Sequence, residues 1–124
     1  MDLDVIIGAT VRETDGLAMS SRNTYLTADE RKAAPILYQA LCAAKQLFDS
    51  TQQQGSIPAR TLQETVERVL QSEPLVQEIQ YVSVDHKTTM RPYQAEDAVD
   101  VKDGAIISIA VQVGSVRLID NIVL

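Results

Sequence analysis

The sequence predicts an α+β domain in which a helical hairpin packs on a three-stranded antiparallel sheet, preceded by a short strand and a long loop. Apolar residues repeat at three- and four-residue spacing over 28–73, and mainly at two-residue spacing after residue 79. The 124 residues allow one domain with a modest core. With no Trp and one Phe, that core must be built from Leu, Ile, Val and Ala.

The short strand is predicted at residues 5–7, a β-branched run that ends at Gly8. It is too short to form a sheet alone. A lone strand before a long loop therefore suggests that it belongs to a larger sheet, of which this chain would carry a fragment.

The first helix is predicted over 28–49. Thr27 with Glu30 three residues later forms a capping box, and one apolar stripe follows. Pro35 interrupts the stripe, so the helix either kinks there or ends after a first turn and restarts near Ala34.

The second helix is predicted to begin near Pro58, whose missing N–H is not needed in a first turn, and to end before Pro74. The polar connector over 51–56 joins the two helices as a hairpin. Cys42, in the first helix, is predicted to be a small residue that is either in the core or partly buried.

Three strands complete the domain. Residues 79–85 are rich in β-forming residues, 105–112 are strongly apolar and should form the central strand, and 116–123 form its partner. The tight connection over 113–115 predicts an antiparallel hairpin for the last two strands. The stretch over 86–97 is predicted to be an irregular loop.

Composition limits the possible partners. A formal net charge of −6 argues against a nucleic-acid partner, which needs a basic face. No apolar run is long enough to span a membrane, and the acidic start lacks the basic residues of a signal peptide. Cys42 is the single cysteine, so one chain offers no disulfide and no cysteine-based zinc site. Together these features predict a cytoplasmic protein with no nucleic-acid or membrane partner.

Few residues outside the leading loop are candidates for chemistry. His86, the single histidine, is predicted to be a surface residue at a strand end. Asp120 and Asn121 are expected to cap or pair locally rather than to catalyse. No complete glycine-rich nucleotide loop is present. The residues alone therefore do not define an active site.

The densest polar chemistry lies in residues 10–26, which follow neither helical nor strand periodicity. Ser20, Ser21 and Arg22 stand side by side there, and Asp15-Gly16 predicts a turn. Hydroxyls can donate to phosphate oxygens, and the arginine fork carries a fixed positive charge. The pattern suits phosphate binding, although such a tripeptide is more often solvated surface.

A longer string strengthens the case. Val11-Arg-Glu-x-Asp-Gly-Leu-Ala-Met-Ser-Ser-Arg-Asn-x-Tyr-Leu26 closely resembles one segment of the pantoate–β-alanine ligase (pantothenate synthetase) family. The ending Arg117-Leu-Ile-Asp-Asn121 resembles that family's C-terminal strand. The resemblance covers residues 5–124, but only the C-terminal part of the family, and the helices agree in pattern alone.

The resemblance implies an ATP-dependent enzyme whose nucleotide-binding half looks like class-I aminoacyl-tRNA synthetases. Such enzymes form pantoyl adenylate and pyrophosphate from pantoate and ATP, and β-alanine then displaces AMP; Mg²⁺ accompanies the ATP. In this chain Ser20, Ser21 and Arg22 would contact the phosphates, and the backbones of Val11 and Met19 would lie at the nucleotide. They would form a mobile loop analogous to the Lys-Met-Ser-Lys-Ser signature.

The resemblance also divides the chain. Residues 1–26 would be a remnant strand and the ATP-contacting loop of a Rossmann-like nucleotide-binding domain, and residues 27–124 a C-terminal lid domain. The family's His-x-Gly-His-type motif belongs upstream and is missing, so the isolated chain should be inactive, with no catalytic or metal-binding residue of its own. Small departures occur at Ala9 and Thr14, where the family commonly has Pro, and Ala or Pro.

Two other functions stay open on the sequence. The chain could be a non-catalytic binding or oligomerisation module that keeps the fold, or a phosphate-binding regulatory domain. Because residues before about Asn23 would lack their sheet neighbours, we expect them to be disordered or exchanged with another copy, for example in a homodimer.

Overall fold

The computed structural model describes residues 12–94 and 96–124, with the backbone alone described at Ser21 and Arg22. The strand predicted at residues 5–7 and the candidate Val11 lie outside the described residues. In chain order the elements are a 3-10 helix Ser21–Tyr25, α1 Ala28–Ala33, α2 Ile36–Ser50, β1 Ser56–Pro58, α3 Ala59–Gln71, β2 Val76–Asp85, β3 Ala98–Asp100, β4 Ile106–Val113 and β5 Val116–Val123.

The predicted capping box forms at the start of α1. The N–H of Thr27 donates to Glu30 Oε1 at 2.9 Å, and the N–H of Glu30 donates to Thr27 Oγ1 at 3.1 Å. Pro35 then separates α1 from α2, because proline has no N–H to continue the helical ladder. Of the two predicted outcomes, the helix ends and restarts, at Ile36 rather than at Ala34.

The core lies between the two long helices and one face of the sheet. α2 and α3 pack against each other as the predicted hairpin, and their apolar stripes are buried. The inward face of β4 meets them with β-branched side chains that exclude water. The principal buried residues are Leu37, Leu41, Phe48, Leu62, Val66, Leu70, Ile107, Ile109, Val111 and Val113.

The main sheet has the predicted three antiparallel strands in the order β2-β4-β5, with β4 in the centre. A two-residue turn joins β4 to β5, and Gly114 in it has a φ of 58°, which favours glycine. The face away from the helices, called the outer face below, carries the cross-strand row Tyr81, Ala110 and Ile119. Tyr81 and Ile119 remain exposed there.

The structure also has a second, two-stranded sheet, which the sequence pattern did not predict. β1 pairs antiparallel with β3, so that Ile57 and Val99 stand opposite each other, both buried. Strands of three residues are too short to display a two-residue period. The pairing fastens the connector between the helices to the stretch that follows β2.

Exchange with another copy stays a prediction, and residues 1–11 lie outside the described residues. The expectation of disorder before about Asn23 is wrong for residues 12–20. They pack on β5 and α2 of the same chain, and Leu17 joins the core with 3% of its surface exposed. The division into residues 1–26 and 27–124 stays a prediction. Among the helices that the structure describes, none is both long and apolar enough to cross a membrane.

Candidate functional site

A tight turn over residues 12–18, called the leading turn below, precedes the predicted phosphate-binding residues. Its ends, Arg12 and Ala18, face each other as an antiparallel bridge. Inside it, the N–H of Glu13 donates to the carbonyl of Leu17 at 2.8 Å. The turn predicted at Asp15-Gly16 is thereby confirmed.

Gly16 seats the leading turn on α2. Its φ of 94° lies in the left-handed region, and a Cβ added there would come within 2.4 Å of Tyr38 Cδ2. The position therefore requires glycine for two independent reasons. The buried side chain of Leu17 enters the core beside this contact.

Arg12 fastens the leading turn to the last strand. Its Nη1 donates to Asp120 Oδ2 at 2.6 Å and its Nη2 to Asp120 Oδ1 at 3.0 Å, a two-pronged fork. The same guanidinium donates to the carbonyls of Gly16 and Asn121, at 3.0 and 3.2 Å, and lies 4.1 Å from the centroid of the Tyr38 ring. We call this arrangement of Arg12, Asp120 and Tyr38 the Arg12 clasp.

The clasp corrects the prediction that Asp120 pairs locally. The carboxylate does accept one local bond, from the N–H of Asn121 at 2.7 Å, but its ionic partner stands 108 residues earlier in the chain. The Asp120 side chain is 1% exposed and that of Arg12 is 18% exposed. The clasp therefore neutralises an otherwise isolated buried carboxylate.

A second fork holds the leading turn from the solvent side. Arg31 of α1 donates to both carboxylate oxygens of Asp15, at 2.6 and 3.2 Å. The hydrogen bond from Arg31 lowers the pKa of Asp15 below its ordinary value, and the same bond raises the pKa of Arg31. Both side chains are substantially exposed.

Residues 18–23 return on themselves and carry the candidate phosphate-binding segment. Asn23 Nδ2 donates to the carbonyl of Ala18 at 3.0 Å, and the N–H of Asn23 donates to the carbonyl of Ser20 at 3.1 Å. Met19 and Ser20 are exposed on this arc, and the 3-10 helix begins at Ser21. The arc is thus closed at both ends by hydrogen bonds.

Two hollows flank the arc and share Ala18, Ser20, Ile119 and Asp120 in their walls. One has a volume of about 210 Å³ and lies toward Leu37. The other has a volume of about 330 Å³ and lies over the outer face. The remaining lining residues are Leu17, Asn23, Arg117 and Leu118 for the first, and Met19, Tyr81, Ser108 and Asn121 for the second.

Two buried amide oxygens at these hollows lack a hydrogen-bond partner among the described residues. Asn23 Oδ1 belongs to a residue lining the first hollow, and Asn121 Oδ1 to one lining the second. Buried acceptors are normally satisfied, so these two are exceptions among the described residues.

His86 and Cys42, for which the sequence predicted no functional role, lie apart from this site. His86 follows β2 and stacks on Tyr93 with ring centroids 3.8 Å apart. Cys42 is partly buried in α2, as predicted, and its hydrogen bond with Tyr38 raises the pKa of that tyrosine. Over residues 12–94 and 96–124, no three His, Cys, Asp or Glu side chains cluster closely enough to hold a metal ion.

The sequence alone did not predict the clasp. Arg12 lies in the first string that carries the family resemblance, and Asp120 in the second. The structure brings these two strings into contact. The available indication was that one string contained a cation without a predicted role and the other an acid predicted to pair only locally.

The fold and the site together define an α+β domain that presents an anchored, hydroxyl-bearing loop beside its own sheet. Residues 1–123 match the family model described as pantoate-beta-alanine ligase, and the chain belongs to that family. It is 40% identical over 124 residues to a pantothenate synthetase of Herpetosiphon aurantiacus, covering 100% of this chain and 42% of that protein. It is 45% identical over 121 residues to one of Chloroflexus aurantiacus, covering 98% of this chain and 40% of that protein.

The solved structures support the same family. The crystal structure of pantothenate synthetase from Thermus thermophilus matches with a TM-score of 0.70 and 36% identity, covering 91% of this chain and 37% of that one. The chain therefore spans about 40% of the length of the curated relatives that it matches.

Proposed function

We propose that the chain forms the lid part and the ATP-contacting loop of an ATP-dependent ligase. The ligase condenses pantoate with β-alanine, through pantoyl adenylate, to give pantothenate, AMP and pyrophosphate. The observation that carries the proposal is the anchored arc over residues 18–23, which borders two hollows in a chain of this family. Residues 1–26 then belong to the nucleotide-binding part, and residues 27–124 form the lid.

The arc contributes electrostatic stabilisation. Attack of a pantoate carboxylate oxygen on the α-phosphorus breaks the bond to pyrophosphate, on which negative charge develops. The hydroxyls of Ser20 and Ser21 and the guanidinium of Arg22 contact the phosphates, and the backbones of Val11 and Met19 contact the nucleotide. Donors held in place before the reaction are effective because they need little reorganisation as the charge develops.

The clasp helps to choose between the two arginines of the loop. Residues 10–26 contain Arg12 and Arg22. The guanidinium of Arg12 already donates to Asp120 and to two carbonyls, so it is not available to a phosphate. This supports Arg22 as the cation that meets ATP.

The other components of the reaction come from outside the described residues. Mg²⁺ would accompany ATP and would be held chiefly by the phosphate oxygens and water. The general acid–base groups and the pantoate site belong to a nucleotide-binding half, so the chain alone is inactive. The proposed setting is cytoplasmic, with no nucleic-acid or membrane partner, and two chains can associate as a homodimer or by strand exchange.

Reconstitution tests the proposal. This chain is combined, in trans or as a fusion, with the part of the Thermus thermophilus enzyme that it does not cover, and pantoate-dependent release of pyrophosphate from ATP is measured. Activity should appear in the pairing and in neither part alone. Arg22→Ala should lower the rate about 10²–10³-fold, the usual effect of removing one donor to developing charge.

The matched control is Arg60→Ala, which removes an exposed arginine of α3 that pairs with Glu96. It should leave the rate unchanged. If the active pairing tolerates Arg22→Ala as well as it tolerates Arg60→Ala, the phosphate role is wrong. A pairing that assembles without gaining activity would favour the non-catalytic binding module.

A further inference from the structure

We propose that Arg12 is a positioning residue: through the clasp it fixes the place of residues 19–22, which under the proposed function meet the phosphates of ATP. The inference rests on that function for its catalytic consequence, but its structural part can be tested separately. Neither the family match nor the resemblance of the strings assigns a role to Arg12.

The first step is that one guanidinium joins three separate pieces of the molecule. Arg12 donates to Asp120 and Asn121 of β5 and to the Gly16 carbonyl of the leading turn, and its plane lies over Tyr38 of α2. A planar group with five donors can make all these contacts at once. Lysine has neither the fork nor the flat face.

The second step connects the clasp to the arc. Arg12 pairs with Ala18 across the leading turn, and the Ala18 carbonyl accepts the hydrogen bond from Asn23 Nδ2. The residue that ends the clasped turn is therefore also the residue on which the arc closes. A shift of Arg12 is transmitted to both ends of residues 19–22 through two consecutive contacts.

The third step is a contrast in burial: the clasp is buried, whereas the arc is exposed. Asp120 is 1% exposed and Arg12 18% exposed, whereas Met19 is 54% exposed. An ion pair whose carboxylate is buried holds a geometry more firmly than a solvated one, because less solvent competes for the carboxylate. The buried clasp thus supplies a fixed base for an accessible segment.

Hydrogen exchange on the chain tests the structural part. The reporters are the amides of Glu13, Gly16 and Asn23, each of which donates a hydrogen bond within the leading turn or the arc. In Arg12→Lys, and separately in Asp120→Asn, these amides should exchange at least about tenfold faster and approach the rates of an unprotected chain, while amides of β4 stay protected to the extent of the remaining global stability. The matched control Arg60→Lys should change neither set.

The exchange experiment has two contrary outcomes. If the three reporter amides keep their wild-type rates in both clasp variants, Arg12 does not position the segment. If the reporters stay as well protected as β4 in the variants, so that both sets exchange only on global unfolding, the clasp serves global stability alone, and the inference also fails.

A double-mutant cycle in the reconstituted ligase tests the catalytic part. Arg12→Lys should lower kcat for adenylate formation about tenfold to a hundredfold, as misplacement of catalytic groups does, with the KM for pantoate little changed. In an Arg22→Ala background the same change should cost clearly less, because one of the groups being positioned is already gone. Equal effects in both backgrounds would show that Arg12 does not act through Arg22.

The two proposals fail in different ways. If Arg22→Ala leaves the rate unchanged, the phosphate assignment fails, while faster exchange of the reporter amides would still support the positioning role. If Arg22→Ala is damaging and the reporters stay protected in Arg12→Lys, the assignment of function stands and the role of Arg12 is overturned.

Discussion

Two arginine–aspartate forks hold the same turn, and they differ in burial rather than in geometry. Arg12 meets Asp120 at 2.6 and 3.0 Å, and Arg31 meets Asp15 at 2.6 and 3.2 Å. The exposed fractions are 18% and 1% in the first pair, and 32% and 43% in the second. Contact distances alone would rank the two pairs as equal.

Burial makes them unequal. When one partner of the exposed fork is removed, water solvates the other, so little stability is lost. When Arg12 is removed, the buried Asp120 carboxylate loses both hydrogen bonds of the fork and its compensating charge. The clasp therefore stabilises the fold because it neutralises a buried charge, whereas the Arg31–Asp15 fork only restricts a solvated surface turn.

The largest effect is expected from Arg12→Leu. Breaking a buried ion pair by removing one partner destabilises a protein by about 3–5 kcal/mol, and the Tyr38 contact is lost as well. Urea unfolding of the variant measures the loss. The control is Arg12→Leu with Asp120→Leu, which removes the stranded charge and should recover much of the stability. A loss below about 1 kcal/mol in the single variant would contradict the account of a buried pair.

A smaller loss is expected from Gly16→Ala. Its φ of 94° is strained for alanine, and the new Cβ would lie 2.4 Å from Tyr38 Cδ2, so Tyr38 must move away from Arg12. Backbone strain of this type is worth about 1–3 kcal/mol, and the displaced ring adds to it. Thermal unfolding should show a clear fall in Tm.

Gly55→Ala is the matched control for that prediction. Gly55 has a similar φ of 89°, but nothing lies within 4 Å of the position that its Cβ would take. It therefore reports the backbone strain alone, and the difference between the two variants reports the clash with Tyr38. Equal losses at both positions would mean that the contact between Gly16 and α2 is unimportant.

The sequence predicted those parts of the molecule that depend on local patterns. Alternation located β5 at residues 116–123, where the structure has Val116–Val123, and the capping box located the start of α1. These patterns are readable because each residue's environment repeats along a regular element. The pair β1 and β3 was missed because three residues contain too little repetition.

The candidate site could be predicted from the sequence only in part, for a different reason. Ser20, Ser21 and Arg22 stood out as residue types, and the family resemblance supplied their roles, which stay predictions. The clasp depends on two residues separated by 108 positions, and no local pattern reports that they meet. The available indication was an arginine without a predicted role in one string and, in the other, an aspartate predicted to pair only locally. It could not distinguish a ligand contact from an internal ion pair.

The smallest effect is expected at the exposed fork and should depend on pH. The hydrogen bond from Arg31 depresses the pKa of Asp15 in the folded state below its ordinary value of 3.8. The stabilisation is therefore present above pH 3.8 and is lost as the pH falls through the lower, folded-state pKa. Arg31→Gln should reduce stability slightly at pH 7 and less in strong acid, and added salt should shrink the difference at pH 7.

Chemical unfolding of the wild-type protein and the variant at pH 7 and below pH 3 checks this prediction. The control is Arg60→Gln, which removes one partner of the exposed pair with Glu96. An Arg31→Gln loss as large as that of Arg12→Leu would show that burial does not separate the two forks.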